Sequence, residues 1–460
     1  MKPTPSKTHH HFPLPSSSFP TGFVLGGLHV GVKKKAGVPD LAVILSTSEH
    51  PTSAAACFTR NAFKAAPVLV SDHVIKMNGG YARAVVVNSG CANAVTGKQG
   101  LDDAWAMVMA TDALLPSKSS EFEQETLVMS TGVIGQNLPI SKIVAGIQSQ
   151  ATNEATCVLG SDFSAWERAA QAFMTTDTFP KLRARTFSIG GVEYRLAGMD
   201  KGAGMIHPNM GPAGTTFSSG PKQLHATLLG CIMTDAAVSP RSLQSALTYA
   251  VDRSFNSISV DGDMSTNDSI YVLANGAASN GVIIDEETDK EAYEVFKREL
   301  TDFAADLAKL VVRDGEGATK FVTVTVKNAP SYKDAHNIAS RISTSALVKT
   351  ALYGEDANWG RILAATGSVP LQPSSSGAEP PVIDPTKVNV TFIPSDGTSP
   401  LPVLVNGEPE KVDEVRAKEI LSLEDFEVTV DLGMEGEGEA QYWTCDFSYE
   451  YVRINGDYRS

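Results

Sequence analysis

Short apolar runs bounded by glycine, proline or small polar residues recur along the chain, and this pattern limits the fold to strands joined by turns and helices. The run ARAVVVNSG at residues 82–90 is typical of a buried strand that ends in a turn. Two alternating runs around Gly190 and Gly191 predict a hairpin. Further strands are predicted from about residue 22 to residue 71 and in the runs FVTVTVKNA, KVNVTFIPS, FEVTVDLGM and QYWTCDFSYEYV.

Three stretches have helical spacing. LDDAWAMVMATDALL follows Gly100 and places two aspartates favourably in its first turn. RSLQSALTYAVDRSF follows Ser239-Pro240, and a longer helix is predicted over residues 286–312. Together these elements predict a mixed α/β chain with mostly antiparallel strands, no internal repeat and no βαβ rhythm.

Charge and composition argue against several classes of function. The 460 residues are 42% hydrophobic and 20% charged, which is ordinary for a folded protein. The net charge of −14 argues against a nucleic-acid partner. No apolar stretch is long enough to span a bilayer, so no membrane partner is expected. The basic run KKK at residues 33–35 is interpreted as a solvated loop.

Cysteine usage indicates a reducing compartment. Five cysteines lie far apart and form no C-x-x-C pair, which argues against a disulfide framework and against the common zinc spacings. Cys57 and Cys231 lie in apolar runs and are predicted to be core thiols. No two histidines have metal-ligand spacing on a convincing helix, so no metal site is expected.

The common catalytic motifs are absent from the sequence, which has no G-x-S-x-G elbow, no Walker A loop and no complete G-x-G-x-x-G. Small polar clusters that contain glycine recur instead. Each could by itself be a turn or a close backbone approach. They are NSGCANA (88–94), STGVIG (130–135), TTDTFPK (175–181), KGAGMIHPNM (201–210), HATLLG (225–230), DGDMSTND (261–268), DGEGATK (314–320), GEDANWGR (354–361) and the C-terminal YVRINGDYRS.

The order and spacing of these clusters resemble the ornithine acetyltransferases, also called arginine-biosynthesis bifunctional proteins. The resemblance covers essentially the whole chain from Gly22 to Ser460. It implies an N-terminal-nucleophile-like α/β sandwich, similar to the N-terminal-nucleophile hydrolases but differently connected. It also implies self-cleavage of the precursor at an Ala-Thr bond, which HATLLG supplies as Ala226-Thr227.

The chemistry of threonine explains why a cut suits this nucleophile. Its hydroxyl is a poor nucleophile and needs a base. Attack of the Thr227 hydroxyl on the Ala226 carbonyl gives an ester that water opens. The freed α-amine, with a pKa of roughly 7.7–8.0, then serves as that base. The resemblance assigns Thr131 and Gly132 to the oxyanion hole, where one donor is typically worth about 3–4 kcal/mol.

Matching the clusters position by position implies a set of substrate-binding residues. A lysine is a natural partner for a carboxylate, and a glutamate for a cationic side chain such as that of ornithine. An ordered C-terminus would bring the last residues into the site. The implied residues are Thr175, Lys201, Thr227, Glu316, Asn455 and Ser460.

The reaction that the resemblance implies is ping-pong acetyl transfer. N-acetylornithine gives its acetyl group to Thr227, ornithine leaves, and glutamate takes the acetyl group as N-acetylglutamate. No cofactor is implied, although some relatives also accept acetyl-CoA as a substrate. The resemblance further implies two fragments, residues 22–226 and 227–460, which stay associated, commonly as a heterotetramer.

One departure from many bacterial relatives is the segment GPAGTTFSSGPKQLH, which separates KGAGMIHPNM from Thr227. It makes Thr215 and Thr216 rival nucleophiles, but neither is followed by the L-L-G run. Fungal relatives carry such an insertion and often a histidine after M-I, as at His207, so the resemblance implies the mitochondrial matrix. Residues 1–21 are rich in Pro, Ser and His and contain no acid, which predicts a disordered, transit-like tail.

Two other functions remain open at this point. An N-terminal-nucleophile aminopeptidase or amidase of related fold would share the cut but release the acyl group to water. A non-catalytic protein that binds amino acids or assembles with others would keep the pocket and never cut itself.

Overall fold

The computed structural model describes residues 4–116, 121–151, 153–215, 228–373 and 379–456. The chain forms two compact units. The larger unit comprises Lys7–Asn256 and Asp263–Val311, and the smaller unit comprises Met1–Ser6, Ser257–Gly262 and Val312–Ser460. Both units combine helices with β-sheet, which confirms the α/β class predicted from the sequence.

The strands within the described ranges belong to three sheets. In chain order they are β1 (Phe23–Leu28), β2 (Leu41–Ser46), β3 (Ser53–Thr59), β4 (Ala84–Cys91), β5 (Thr126–Val133), β6 (Lys181–Ile189), β7 (Val192–Lys201), β8 (Met210–Pro212), β9 (Leu229–Thr234), β10 (Ile258–Ser259), β11 (Ser269–Ala274), β12 (Phe321–Ala329), β13 (Asn389–Pro394), β14 (Leu401–Val405), β15 (Glu408–Pro409), β16 (Asp425–Asp431) and β17 (Gly438–Cys445).

Several helices begin at a capping side chain, since Asp162, Ser331 and Asp413 each accept a backbone N–H from the first turn. Within the described residues, no helix has both the length and the apolar content that a bilayer crossing requires. The helices are α1 (Ala66–Met77), α2 (Gly97–Asp112), α3 (Ile140–Gln148), α4 (Phe163–Phe173), α5 (Pro240–Asp252), α6 (Lys290–Arg313), α7 (Tyr332–Ser343), α8 (Ala346–Gly354), α9 (Trp359–Gly367), α10 (Glu414–Ser422) and α11 (Tyr449–Asn455).

The larger unit contains two sheets that share a hydrophobic core. The four-stranded sheet has the order β1-β2-β4-β5, and the six-stranded sheet has the order β6-β7-β9-β11-β3-β8. Ile44 and Val87 of the first sheet belong to the same buried cluster as Met199 and Met233 of the second, and α1 and α4 also contribute to it. Burial of so much apolar surface fixes the register of the strands that carry the site.

Parallel pairing is the main difference between the predicted and the observed strands. β4 and β5 are parallel neighbours with α2 between them in sequence, and β9 and β11 are parallel neighbours with α5 between them. The prediction of no βαβ rhythm is therefore wrong. These four strands are buried on both faces for most of their length, so their sequences show no alternation that distinguishes a parallel from an antiparallel partner.

The smaller unit is built on one seven-stranded sheet with the order β10-β17-β12-β16-β13-β14-β15. β12 pairs in parallel with β16 and antiparallel with β17. Ile338 and Ile342 of α7 share a buried cluster with Val324 of β12 and Val428 of β16. The core of this unit therefore lies between the sheet and its helices.

Most predicted elements are confirmed, with shifts at their ends. The hairpin around Gly190 and Gly191 is β6–β7, both glycines having positive φ. The helix predicted over residues 286–312 is Lys290–Arg313. The strand run predicted to reach about residue 71 gives way to α1, which has a proline in its first turn. The last predicted strand ends at Cys445, because Ser448 caps a terminal helix instead.

The N-terminal segment makes contacts that its composition does not predict. Phe19 is buried and stacks on Trp166 with ring centroids 4.6 Å apart. His11 Nε2 lies 2.7 Å from a carboxylate oxygen of Glu167. Arg195 Nε donates to the Ser17 carbonyl at 2.8 Å. His11, Ser17 and Phe19 therefore lie against α4 and β7, whereas the disorder expected of residues 1–21 stays a prediction. The predicted cut between residues 226 and 227 would fall within the larger unit, so the two predicted fragments are not the two units.

Candidate functional site

Three of the glycine-bearing clusters meet at one end of the four-stranded sheet. NSGCANA begins within β4 and STGVIG within β5, and parallel pairing places Gly90 opposite Gly132. DGDMSTND joins them through Asn267, whose amide nitrogen donates to the carbonyl oxygens of Ala92 and Ser130, each at 2.7 Å. The carboxyl ends of adjacent parallel strands are a common place for a ligand site.

Gly90 and Gly132 let the backbone approach more closely than any other residue would. Their φ angles are +134° and +122°. A Cβ on Gly132 would lie 2.4 Å from the Gly90 carbonyl carbon, and a Cβ on Gly90 would lie 2.9 Å from Cγ1 of Val32. Both positions therefore need glycine, for conformation and for space.

Thr131 and Lys201, two of the predicted site residues, are in contact. Both are 0% exposed, and Lys201 Nζ donates to the Thr131 hydroxyl oxygen at 3.3 Å. Thr131 lies in β5, whereas Lys201 is the last residue of β7, where antiparallel pairing places it opposite Leu229 of β9. Residues of two sheets thus converge on one point in the larger unit.

Asp177 links Thr175 to the buried lysines. Its carboxylate accepts the backbone N–H groups of Thr175 and Gly202, each at 2.8 Å, and Nζ of Lys181 at 2.5 Å. Burial alone would raise the pKa of Asp177, but the ammonium groups of Lys181 and Lys201 hold it below its ordinary value. The carboxylate and the two ammonium groups together carry one net positive charge, which favours an anionic ligand.

Asp268 holds the first described residue after the predicted cut. Its carboxyl oxygens accept the N–H of Leu228 at 3.1 Å and the N–H of Ser265 at 3.3 Å. Burial raises the pKa of Asp268 to about 7, although these hydrogen bonds and the charge of Lys201 act in the opposite direction. The Leu228 nitrogen belongs to the Thr227–Leu228 peptide bond, so Asp268 fixes the chain next to the predicted nucleophile.

Part of the predicted site lies beyond what the structure describes. Thr215, one of the two rival nucleophiles, is exposed and donates its hydroxyl hydrogen to the Pro212 carbonyl at 2.7 Å. The other rival, Thr216, lies outside the described residues, as do Ala226, Thr227 and Ser460.

Glu316 and Asn455, the remaining predicted substrate residues, meet within the smaller unit. Asn455 Nδ2 donates to Glu316 Oε2 at 2.7 Å. Glu316 is 8% exposed and Asn455 is exposed. The loop that carries Glu316 passes close to α11, since a Cβ on Gly317 would lie 2.6 Å from the Tyr451 nitrogen. A nearly buried carboxylate that pairs with a neutral amide is suited to a cationic ligand.

Sequence reasoning did not select Asp177, Lys181 or Asp268, although all three stand in clusters that it singled out. TTDTFPK contains an acid and a lysine four residues apart, which would have been the signal for the first two. Nothing in DGDMSTND distinguishes Asp268 from the other two aspartates, because its role depends on the distant residue Leu228.

The thiols and His207 play no charged part in the site. Burial raises the pKa of Cys57 and of Cys231 to about 12 each, which confirms both as core thiols. Burial lowers the pKa of His207 to about 4, so this imidazole is neutral near pH 7. In the described part of the chain, no three His, Cys, Asp or Glu side chains are grouped to hold a metal ion.

Comparison with known proteins gives one consistent family. A sequence model of the ArgJ family matches residues 24–460. The chain is 83% identical to the mitochondrial arginine biosynthesis bifunctional protein ArgJ of Laccaria bicolor, over 100% of this chain and 97% of that protein. It is 82% identical to the protein of the same name from Coprinopsis cinerea, over 100% and 96%.

Two solved structures are also similar in sequence over about half of the chain. The arginine biosynthesis bifunctional protein ArgJ of Bacillus halodurans is 36% identical, covers 48% of this chain and 95% of its own, and gives a TM-score of 0.42. The ornithine acetyltransferase of Mycobacterium tuberculosis, solved in complex with ornithine, is 33% identical, covers 43% and 96%, and gives a TM-score of 0.35.

Proposed function

The chain belongs to the ArgJ family and is an ornithine acetyltransferase of arginine biosynthesis, and we propose that Thr227, freed by self-cleavage at Ala226-Thr227, is its nucleophile. The supporting observation is the strand register. β7 and β9 pair so that Lys201 lies opposite Leu229, two residues after Thr227, and the same Lys201 donates to Thr131. Thr131, predicted for the oxyanion hole, and Lys201, predicted to bind a carboxylate, therefore lie close to the start of β9, which follows the proposed cut.

Self-cleavage needs one internal nucleophile and one water molecule. The Thr227 oxygen attacks the Ala226 carbonyl carbon, the C–N bond breaks, and the nitrogen takes the proton to become an amine. Water then opens the ester, leaving a carboxylate on Ala226 and a free hydroxyl and α-amine on Thr227. Asp268 acts as a positioning residue here, because it holds the Leu228 N–H while the preceding bonds rearrange.

Acetyl transfer then uses the same oxygen twice. The Thr227 amine takes the hydroxyl proton as the oxygen attacks the acetyl carbonyl of N-acetylornithine, and ornithine leaves. The amine of glutamate attacks the acetyl-Thr227 ester to give N-acetylglutamate and restore the hydroxyl. The Thr131 hydroxyl and the Gly132 N–H donate to the oxygen that becomes negative in both steps.

Each group of predicted substrate residues is assigned to the part of a substrate that its charge suits. Lys201 and Thr175 bind the α-carboxylate, since this cluster carries the excess positive charge. Glu316, with Asn455 and the C-terminal Ser460, binds the cationic side chain of ornithine. We propose that no cofactor takes part; any acetyl-CoA would be a substrate that acetylates the free Thr227 hydroxyl.

Residues 22–226 and 227–460 would remain together after the cut. β9 and β11 of the C-terminal fragment lie between β7 and β3 of the N-terminal fragment in one sheet. Their hydrogen bonds and shared core do not depend on the Ala226-Thr227 bond. We propose that two such pairs form a heterotetramer. The protein is mitochondrial, and we propose the matrix as its compartment, with residues 1–21 as the transit-like segment.

N-terminal sequencing of the fragments of purified protein tests the cut. We expect a C-terminal fragment that begins at Thr227, and a single uncut band for Thr227→Ala, with Thr215→Ala as the matched control that still cuts. A fragment that begins elsewhere would overturn the assignment. Incubation with N-acetylornithine and glutamate should yield N-acetylglutamate, whereas acetate alone would point to the amidase alternative.

A further inference from the structure

The loop between β1 and β2 holds Lys33 in a fixed place, which departs from the solvated loop that its basic run predicts. The fully buried Asp40 carboxylate accepts four consecutive backbone N–H groups, from residues 30 to 33, at 2.7, 3.0, 2.8 and 3.0 Å. Lys34 and Lys35 are exposed, but Lys33 is half-buried. Four hydrogen bonds to one carboxylate leave the backbone at Lys33 little freedom to move.

This loop borders the predicted oxyanion hole. Val32, immediately before Lys33, packs on Gly90, where an added Cβ would lie 2.9 Å from the Val32 side chain. Gly90 in turn packs on Gly132, next to Thr131. Lys33 is therefore two contacts away from the residues proposed to stabilise the reacting oxygen.

The ammonium group of Lys33 lies within electrostatic reach of the buried charge cluster. Its Nζ donates to the Pro39 carbonyl at 2.6 Å, which uses one of its three hydrogens. Burial lowers its pKa to about 8, while the charges of Asp40 and Asp177 act to raise it and that of Lys201 acts to lower it. Asp177 is already paired with Lys181, so Lys33 keeps donors for a further anion.

The two amino acids of the reaction differ in side-chain charge. Ornithine carries an ammonium, whereas glutamate carries a second carboxylate in addition to its α-carboxylate. Lys201 can neutralise one carboxylate, and an enzyme that prefers glutamate needs a second cation placed for the other. We propose that Lys33 binds the side-chain carboxylate of the acceptor amino acid and so selects glutamate, an inference that rests on the acetyl transfer proposed above.

The test compares acceptors in Lys33→Met and in Lys34→Met, the matched control on the exposed neighbour. For Lys33→Met we expect kcat/KM for glutamate to fall about tenfold to hundredfold, the usual weight of a hydrogen bond to a charged group. Transfer to glutamine, which lacks the second charge, should change less than about threefold, as for a neutral hydrogen bond at the weak end of the range. Lys34→Met should change neither acceptor, and Lys33→Arg should restore most of the glutamate preference.

Release of ornithine from N-acetylornithine in a single turnover separates this inference from the proposed function. If the unmodified protein forms no N-acetylglutamate, the proposed function fails. If it does, and Lys33→Met still prefers glutamate over glutamine to the same degree, Lys33 does not select the acceptor. Equal losses with both acceptors, or equal losses in ornithine release, would also overturn the inference, because they would indicate a structural role. Lys33→Gln, which keeps a donor for Pro39, guards against a variant that fails to fold.

Discussion

The two groups of candidate substrate residues are built in opposite ways. In the larger unit, Asp177, Lys181 and Lys201 are buried, and the Asp177 carboxylate offsets one of the two ammonium charges within the protein. In the smaller unit, Glu316 has a neutral partner, Asn455, on an exposed turn of the last helix. The first group is part of the core of the larger unit, whereas the second pairs a nearly buried carboxylate with an exposed helix end in the smaller unit.

This contrast predicts that the charges of the first group are coupled to folding and that the charge of the second group is not. A buried charge without its partner costs several kcal/mol, so loss of the Asp177 carboxylate, which interacts with both ammonium groups, should be the most costly change in the first group. An amide–carboxylate contact at an exposed helix end contributes little to stability. Loss of Asp177 should therefore act on stability and activity together, and changes in the second group on substrate binding alone.

The largest expected effect is that of Asp177→Asn. It leaves Lys181 and Lys201 in the core without their carboxylate, which should lower the free energy of unfolding by about 3–5 kcal/mol. Urea unfolding in an uncut Thr227→Ala background measures this. The control is Glu294→Gln, which removes an exposed ion pair with Lys297 and should cost less than about 1 kcal/mol. Similar losses of unfolding free energy in the two variants would show that the buried Asp177 is no more important for stability than an exposed carboxylate.

Asp268→Asn should alter how stability depends on pH. The folded pKa of Asp268 is about 7, above its unfolded value, so the folded state holds a proton that the unfolded state has lost. Stability therefore falls as pH rises from about 4 to 7 and levels off above that range. The variant should lack this fall, which is at most about 4 kcal/mol. Unfolding free energies are measured from about pH 4 to 7 for both proteins. If they changed with pH in the same way, the raised pKa of Asp268 would be contradicted.

Lys201→Met is expected to affect activity more than stability. Asp177 keeps Lys181 as its partner, so the buried Asp177 carboxylate is not left without a cation. The contact with Thr131 and the proposed partner of the α-carboxylate are lost, and kcat/KM should fall about hundredfold, as for two charge-assisted hydrogen bonds. Steady-state kinetics with both substrates measure this fall, and substitution of the exposed Lys98 of α2, Lys98→Met, should change nothing. If the Lys201→Met enzyme kept full activity, Lys201 would have no role in substrate binding.

Glu316→Gln is the smallest of these effects. Glutamine keeps an acceptor for the Asn455 amide but loses the charge, so kcat/KM for N-acetylornithine should fall about tenfold. The free energy of unfolding should change by less than about 1 kcal/mol, because glutamine keeps the hydrogen bond from Asn455. Glu450→Gln, on the exposed face of α11, is the matched control for both measurements. A large stability loss on Glu316→Gln would show that the two groups are built alike.

The sequence predicted the parts of the site that depend on local pattern. ARAVVVNSG predicted a strand ending in a turn, and the glycine clusters marked where backbones approach, as Gly90 and Gly132 do. The family resemblance then selected Thr131 and Lys201, which the structure brings into contact. These inferences succeed because a glycine at a strand end permits the positive φ and the close backbone approach that larger residues prevent.

The features that the sequence did not predict depend on residues that are far apart along the chain and meet only in the folded protein. Asp268 meets Leu228 across 40 residues, and Asp40 fixes the loop that carries Lys33 by accepting its backbone N–H groups. The parallel pairing of β9 with β11 is another example, since each strand is buried on both faces. Periodicity indicates which face of an element is buried, and not which element covers it.

The interleaved order β7-β9-β11-β3 determines how the sheet can form before and after the proposed cut. An uncut precursor builds this sheet in a first-order process, because all four strands belong to one chain. After a cut at Ala226-Thr227, the same sheet can be rebuilt only by an encounter of two chains, so its recovery depends on concentration. Folding before the proposed cut therefore keeps assembly independent of concentration, whereas a cut molecule that unfolds at low concentration regains this sheet only slowly.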